Sequence, residues 1–286
     1  MRVIENAEEM RRLSREWRRE GLRIGLVPTM GALHEAHLSL VRLAQKDCAR
    51  VIVTIFVNPT QFSPAEDLAS YPRTLDEDLR LLEGIGADAV FTPSDAGMYL
   101  PDHETWVTVN SLTAGLCGAG RPTHFRGVTT IVSKLFNTTE PDAAVFGQKD
   151  YQQAKVIERM TRDLNFPIEI RIGPVVREAG GLAMSSRNRY LQPEDRQAAG
   201  VLSKTLAACR ERAESGAPLL EVRSLLDASL ASEPRANVEY AVIAHPETLA
   251  EISDFREGAV IALAARFGST RLIDNVLVAH TSLRKP

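Results

Sequence analysis

The 286-residue chain has little cysteine: Cys48, Cys117 and Cys209 are odd in number and widely spaced. They offer neither a disulfide framework nor a metal-ligand spacing, which points to a reducing compartment and makes a cytoplasmic location the expectation. Basic excess is missing too. Lys and Arg number 34 against 37 Asp and Glu, a net charge of −3, whereas proteins that live on nucleic acid carry surplus positive charge. No apolar run reaches the roughly 18 residues of a membrane-spanning helix, so no membrane association is expected. The opening segment MRVIENAEEMRRL lacks the apolar core of a secretion signal. The sequence also has no internal repeat and no low-complexity tract. What is present is ordinary: 44% apolar and 25% charged residues exclude a disordered tail, a collagen-like fibre and a disulfide-knotted peptide. At about 150 residues per domain, the length suggests two domains.

Hydrophobic periodicity organises the chain. Asn6 with Glu9 forms a start resembling a capping box, and Met10, Leu13 and Trp17 follow at helical spacing. Short apolar runs bounded by turn residues at 24–27, 51–57, 87–91, 142–147 and 168–173 suit buried strands. Helical patterns at 37–47, 75–86, 128–139 and 150–165 are interleaved with them. Strands alternating with helices predict an α/β fold, a parallel sheet with helices on both faces, which binds ligands beyond the carboxyl ends of its strands. The texture changes near 175–180. Two helical stretches, 193–215 and 217–232, precede strand-like runs at 238–243, 259–267 and 270–278. This predicts a first domain over 1–176 and a smaller α+β C-terminal domain over 177–286. From residue 193 onward there are 11 Lys and Arg against 13 Asp and Glu, a poor composition for an RNA-binding appendage.

Polar residues gather just after the predicted strands. His34 and His37, three apart at a helix start, share one face where free N–H groups and the helix dipole favour anions. That suits a phosphate, although the spacing alone favours the plainer reading of a solvated helix start or a metal pair. A zinc site would need further Cys, His or carboxylate ligands. Lys149 stands between a strand and a helix, where it can reach a phosphate, and Asp150 can cap that helix or meet a ligand. Gln61 can offer an amide to a small polar ligand, and Gln152 or Gln153 would face the crevice from the first helical turn. Gly180 and Gly181 lead into Met184, Ser185, Ser186 and Arg187, a combination that suits a phosphate-closing loop and is also common on surfaces.

These segments carry a resemblance. PTMGALHEAH is similar to the HxGH signature of nucleotidyltransferases related to class I aminoacyl-tRNA synthetases, and MSSRN to their second loop. Taken in order, PTMGALH, IFVNPTQF, YPRT, GRPTHFRGV, GQKDYQQ and GLAMSSRNRYL resemble the pantothenate synthetase (pantoate–β-alanine ligase) family over residues 23 to 191. The resemblance implies a Rossmann-like sheet with a C-terminal domain covering the active site, a homodimer, and Mg²⁺ arriving with ATP without assigned protein ligands. It implies a ligation in which ATP and pantoate give pantoyl adenylate and pyrophosphate, after which β-alanine displaces AMP. By motif, Met30, Gly31, Ala32, Leu33, His34, Glu35, Ala36 and His37 would line the ATP site, with His37 in the proton-donor position. Gly147, Gln148, Lys149, Asp150, Val176, Met184, Ser185, Ser186 and Arg187 would complete it. His34, His37, Lys149 and Arg187 would be the catalytic set. Gln61 and Gln153 would hold pantoate, with Gln61 also near β-alanine and Ile131, Val132 and Leu135 against pantoate's methyls.

Three positions depart from the family pattern. Ala36 stands where the signature has glycine, and its methyl is expected to weaken ATP affinity by about 1–3 kcal/mol if the pocket does not relax. Gln148 replaces a glutamate near the triphosphate. Gly180 replaces an aspartate and is expected to loosen the approach to the Ser-Arg loop. Two other readings are another adenylate-forming member of the superfamily and a catalytically silent nucleotide-binding protein. The Gln61 and Gln153 contexts argue against the first. Both histidines, Lys149 and Arg187 argue against the second.

Overall fold

The computed structural model describes residues 1–63 and 68–279. The chain forms two compact units, Met1–Gln148 with Gln152–Pro174, and Lys149–Tyr151 with Val175–Pro286.

In the first unit, strands β1 (Arg2–Ile4), β2 (Ile24–Thr29), β3 (Arg50–Ile55), β4 (Ala89–Phe91), β5 (Ala143–Gly147) and β6 (Glu169–Gly173) form one sheet in the order β1-β4-β3-β2-β5-β6. Every pairing is parallel. The helices are α1 (Ala7–Arg19), α2 (Glu35–Gln45), α3 (Leu75–Gly84), α4 (Asp95–Met98), α5 (Cys117–Gly120), α6 (His124–Thr139) and α7 (Tyr151–Asp163), the last beginning on the other unit's Tyr151. Alternation along the strands explains the two-sided cover. Ile24, Leu26, Ile52, Ala144 and Phe146 pack with Met10, Leu13 and Trp17 of α1 and with Ile131, Leu135 and Phe136 of α6. Val27, Val51, Val53, Val90 and Val145 turn the other way, onto Leu40, Val41 and Ala44 of α2 and Leu82 of α3. The expected cap on α1 is present: the Asn6 side chain accepts from the Glu8 and Glu9 N–H groups at 2.9 and 3.1 Å.

Two strand features differ from the sequence pattern. β1 has no counterpart among the expected strands, because three residues are too few for a period-2 pattern; its place is fixed by pairing Arg2–Ile4 with Ala89–Phe91. β2 runs through Pro28 to Thr29 rather than ending before the proline. Its pairing with β5 covers only Gly25↔Ala143 and Leu26↔Ala144, whereas its pairing with β3 runs to Thr29. Pro28 therefore sits where the strand has one ladder neighbour, the position at which a residue without N–H is tolerated.

The chain crosses from β2 to β3 on one side, while β5 lies on the other. The sheet order therefore reverses at β2 and β5, and the two strands separate toward their carboxyl ends. This is the topological switch point at which open α/β sheets bind ligands.

The second unit holds α8 (Pro193–Glu214), α9 (Leu219–Ala231) and the antiparallel sheet β7 (Asn237–Ala244), β8 (Ala259–Phe267) and β9 (Thr270–Val278), in that order. Ala199, Leu202, Leu206, Cys209 and Ala213 of α8 lie on one face and pack with Leu226 of α9 and with Ile261, Leu263 and Ala265 of β8. Residues 280–286 of the expected C-terminal domain lie outside the described residues. Among the described residues, no helix is long and apolar enough to cross a membrane.

Candidate active site

At the end of β2 the chain turns through Met30–Leu33 into α2, with His34 as the N-cap in extended backbone. Gly31 and Ala32 both take left-handed conformations, at φ 81° and 50°. The His34 carbonyl accepts from the His37 and Leu38 N–H groups at 2.8 and 3.2 Å. His37 Nδ1 in turn accepts the His34 N–H at 3.3 Å, a histidine version of the carboxylate half of a capping box. A ring nitrogen that accepts a hydrogen bond has no proton of its own, so neutral His37 carries its proton on Nε2. The two rings are in contact, centroids 4.2 Å apart and tilted by 37°. Two imidazoles thus lie together at a helix N-terminus next to the switch point, where an anion meets N–H groups from backbone and ring alike.

After β3, Asn58 and Gln61 are buried, at 1% and 8% exposure. Asn58 Nδ2 donates to Gln61 Oε1 and to the Gly127 carbonyl, both at 3.2 Å. Asn58 Oδ1 accepts from Tyr99 Oη at 2.8 Å and Thr60 Oγ1 at 3.0 Å. Burial raises the Tyr99 phenol above its ordinary pKa, so it remains a donor. The Gln61 amide nitrogen points at Met30 Sδ. A thioether is a weak acceptor, which leaves the amide's donors for a hydroxyl or carboxylate. His124 Nδ1 lies 2.8 Å from the Gln61 carbonyl and Arg121 Nη2 lies 3.4 Å from it. His124 and Arg121, for which the motifs imply no role, therefore grip the backbone of Gln61. A Cβ at Gly127 would lie 2.5 Å from the Thr60 carbonyl oxygen, so α6 approaches this turn as closely as only glycine permits. Gly127→Ala is expected to destabilise the fold by about 1–3 kcal/mol and to raise the KM for any substrate bound through Gln61. Chemical denaturation and steady-state kinetics check both.

Gln152 and Gln153 separate. Gln152 is buried; its Nε2 donates to the Leu112 and Gly115 carbonyls at 2.9 and 2.8 Å, and its Oε1 accepts the Cys117 N–H at 3.0 Å. Its amide is committed to a turn in which Leu116 holds φ 53°. Half-buried Gln153 remains the candidate for a ligand. Ile131, Val132 and Leu135 are buried in the sheet's core.

In the second unit, Lys149 and Asp150 form an ion pair at 3.6 Å. The Lys149 carbonyl accepts from Asn275 Nδ2 at 2.9 Å, and Tyr151 Oη donates to the Pro246 carbonyl at 2.9 Å, so the backbone carrying the lysine is tied on both sides. Across a hairpin the Met184 N–H donates to the Val176 carbonyl at 2.9 Å, and the Glu178 N–H donates to the Leu182 carbonyl at 2.8 Å. Arg177 makes a two-pronged ion pair with buried Asp274, at 2.6 and 3.1 Å. A Cβ at Gly180 would meet open space, and the bonds that close the hairpin come from its neighbours. Ser185 Oγ accepts the Arg187 N–H at 3.3 Å and caps a 3₁₀ turn over Ser186–Tyr190. Asn188 braces that turn through Glu178 Oε1 at 2.7 Å and the Ala183 carbonyl at 3.0 Å. Hydrogen bonds of Ser185 and Asn188 thus brace the Ser-Arg segment as a turn.

A family model described as pantoate-beta-alanine ligase matches residues 2–277. The chain belongs to the pantoate–β-alanine ligase family. It is 52% identical to a pantothenate synthetase of Heliobacterium modesticaldum, over 97% of this chain and 99% of the relative. It is 50% identical to one of Moorella thermoacetica over the same shares. The crystal structure of a Thermus thermophilus pantothenate synthetase superimposes with a TM-score of 0.91 at 44% identity, covering 97% of this chain and 99% of that one. That of a Francisella tularensis pantoate–β-alanine ligase, complexed with β,γ-ATP and β-alanine, gives 0.79 at 31% identity, covering 97% of each chain. This ligase family's parallel sheet and small antiparallel C-terminal sheet are those seen here.

Sequence patterns alone do not single out Asn58, Asp78 or Asn275. Asp78 leaves a signal: with Leu82 four residues on, it falls on the buried face of α3. Asn58 leaves only its place after a strand, and Asn275 leaves none.

Proposed function

We infer that this chain joins pantoate to β-alanine with cleavage of ATP. The observation that carries the reading is the His34–His37 helix start at the parting of β2 and β5, in a chain that matches the ligase family along nearly its whole length. A carboxylate is a poor acyl donor. Attack of the pantoate carboxylate on the α-phosphorus of ATP releases pyrophosphate and makes AMP the leaving group. The amine of β-alanine then attacks the acyl carbon, loses a proton and expels AMP, leaving pantothenate. Charge builds on phosphate oxygens in the first step, so positioned donors are the main catalytic device.

In this reading residues 30–37 and 147–148, with Lys149, Asp150, Val176 and residues 184–187, hold ATP. His34 and His37 donate to phosphate oxygens, Lys149 and Arg187 neutralise phosphate charge, and Asp150 takes the ribose. Gln61 and Gln153 hold pantoate, and Gln61 also neighbours β-alanine. Among the described residues, no three His, Cys, Asp or Glu side chains gather as a metal site. Mg²⁺ takes phosphate oxygens and water readily with one or two carboxylates, so the ion is proposed to enter on the triphosphate, where it would offset charge. A homodimer and a cytoplasmic location belong to the same reading.

Pyrophosphate and AMP release decide the matter. With ATP and pantoate alone, pyrophosphate should appear in no more than stoichiometric amount. Sustained AMP formation should require β-alanine. AMP turnover without β-alanine, or none with all three substrates, would refute the assignment.

A further inference from the structure

Asp78 is 1% exposed and lies in α3, which contributes no residue to the site described above. Its Oδ2 accepts the Ala32 N–H at 2.9 Å and its Oδ1 accepts the Leu33 N–H at 2.8 Å. Thr74 Oγ1 donates to Oδ2 at 3.3 Å. A buried carboxylate is costly unless its charge is met by donors, and here two consecutive backbone N–H groups of the β2–α2 turn meet it. Burial nonetheless raises the Asp78 carboxyl above its ordinary pKa, with the Leu33 and Ala32 N–H groups acting in opposition. The turn is also shaped around it. A Cβ on Gly31 would come within 3.0 Å of Oδ2, and Ala32 holds φ 50°, a left-handed conformation that alanine adopts only when held there.

We propose that Asp78 is a positioning residue for the first half-reaction: its carboxylate holds residues 31–33 so that His34 caps α2 and the His34–His37 pair faces the nucleotide phosphates. The proposal rests on the ligase reading for its kinetic consequence, but its structural consequence is independent of that reading. The carboxylate acts through backbone alone and touches no substrate. An asparagine at 78 keeps the shape, offers one acceptor oxygen and turns a donor toward a backbone N–H.

Asp78→Asn should lower kcat/KM for ATP in pantoate-dependent pyrophosphate exchange by about 10–100-fold, the loss expected for one or two charge-assisted bonds. The KM for β-alanine should stay within about twofold, because amine attack does not depend on this turn. Amide hydrogen exchange across residues 30–38 should accelerate, and this readout needs no activity. Ala32→Gly added to Asp78→Asn should recover part of the lost kcat/KM, since glycine takes φ 50° without the Cβ penalty. Should Asp78→Asn not fold, Thr74→Val, which removes only the hydroxyl bond to Oδ2, should show the same pattern at smaller size. Unchanged exchange across 30–38 would overturn the proposal. So would equal losses toward ATP and β-alanine, or no recovery with Ala32→Gly. A wild-type chain inactive with all three substrates would refute the ligase reading instead, and the exchange experiment would still judge Asp78.

Discussion

Lys149→Ala is expected to slow adenylate formation by about 10²–10³, the range seen when one preorganised donor is removed from a developing anion. Stability should change by less than about 1 kcal/mol. The geometry separates the two effects. The Lys149 backbone is held by Asn275 through its carbonyl, a bond that alanine keeps. Its side chain is 21% exposed, and the bond in its ion pair with Asp150 is a long 3.6 Å, the kind of surface pair that adds little to folding. The ion pair therefore adds little to the fold, which leaves the cation for the phosphate role proposed above. Pyrophosphate exchange and thermal melting of the same sample test this. A large fall in melting temperature with a proportionate fall in exchange would make Lys149 a structural residue.

Much of this arrangement is legible from the residues, and what is not has a physical reason. Ile24, Leu26 and Val27 announce a strand buried on both faces because alternation and turn residues are local. Asn6 and Glu9 announce a helix start for the same reason. His34 and His37 can be placed on one helical turn because three residues separate them. Reach along the chain is where reading stops. The bonds that shape the nucleotide-side turn come from Asp78, 45 and 46 residues away, and the anchor of Lys149 lies 126 residues away in β9. Of two adjacent glutamines, Gln152 is taken up by the 112–117 turn while Gln153 is not. That choice depends on where α5 lies, not on any pattern within GQKDYQQ. The Gly180–Gly181 pair is ambiguous as a pattern. Glycine permits a tight hairpin as readily as a mobile loop, and the bond from the Glu178 N–H to the Leu182 carbonyl shows that a hairpin forms here.

The second large effect belongs to His37, where two substitutions divide what the ring does. Nδ1 accepts the N-cap N–H of α2 at 3.3 Å, so the proton of the neutral ring stands on Nε2, the nitrogen proposed to donate to a phosphate oxygen. Asparagine places its oxygen where Nδ1 is and has nothing at Nε2. Glutamine reaches the Nε2 position with an N–H and gives up the short acceptor. His37→Asn should therefore keep the helix start and lose about 10²–10³ in adenylate formation. His37→Gln should lose less activity but up to about 0.5–2 kcal/mol of stability, toward the low end given the length of the bond. If the ring serves only to cap α2, the order reverses: His37→Asn stays active and His37→Gln fails in proportion to its unfolding. Exchange kinetics beside urea denaturation of the two variants distinguish the outcomes. They do so without presuming how the ring is charged, because neither amide titrates.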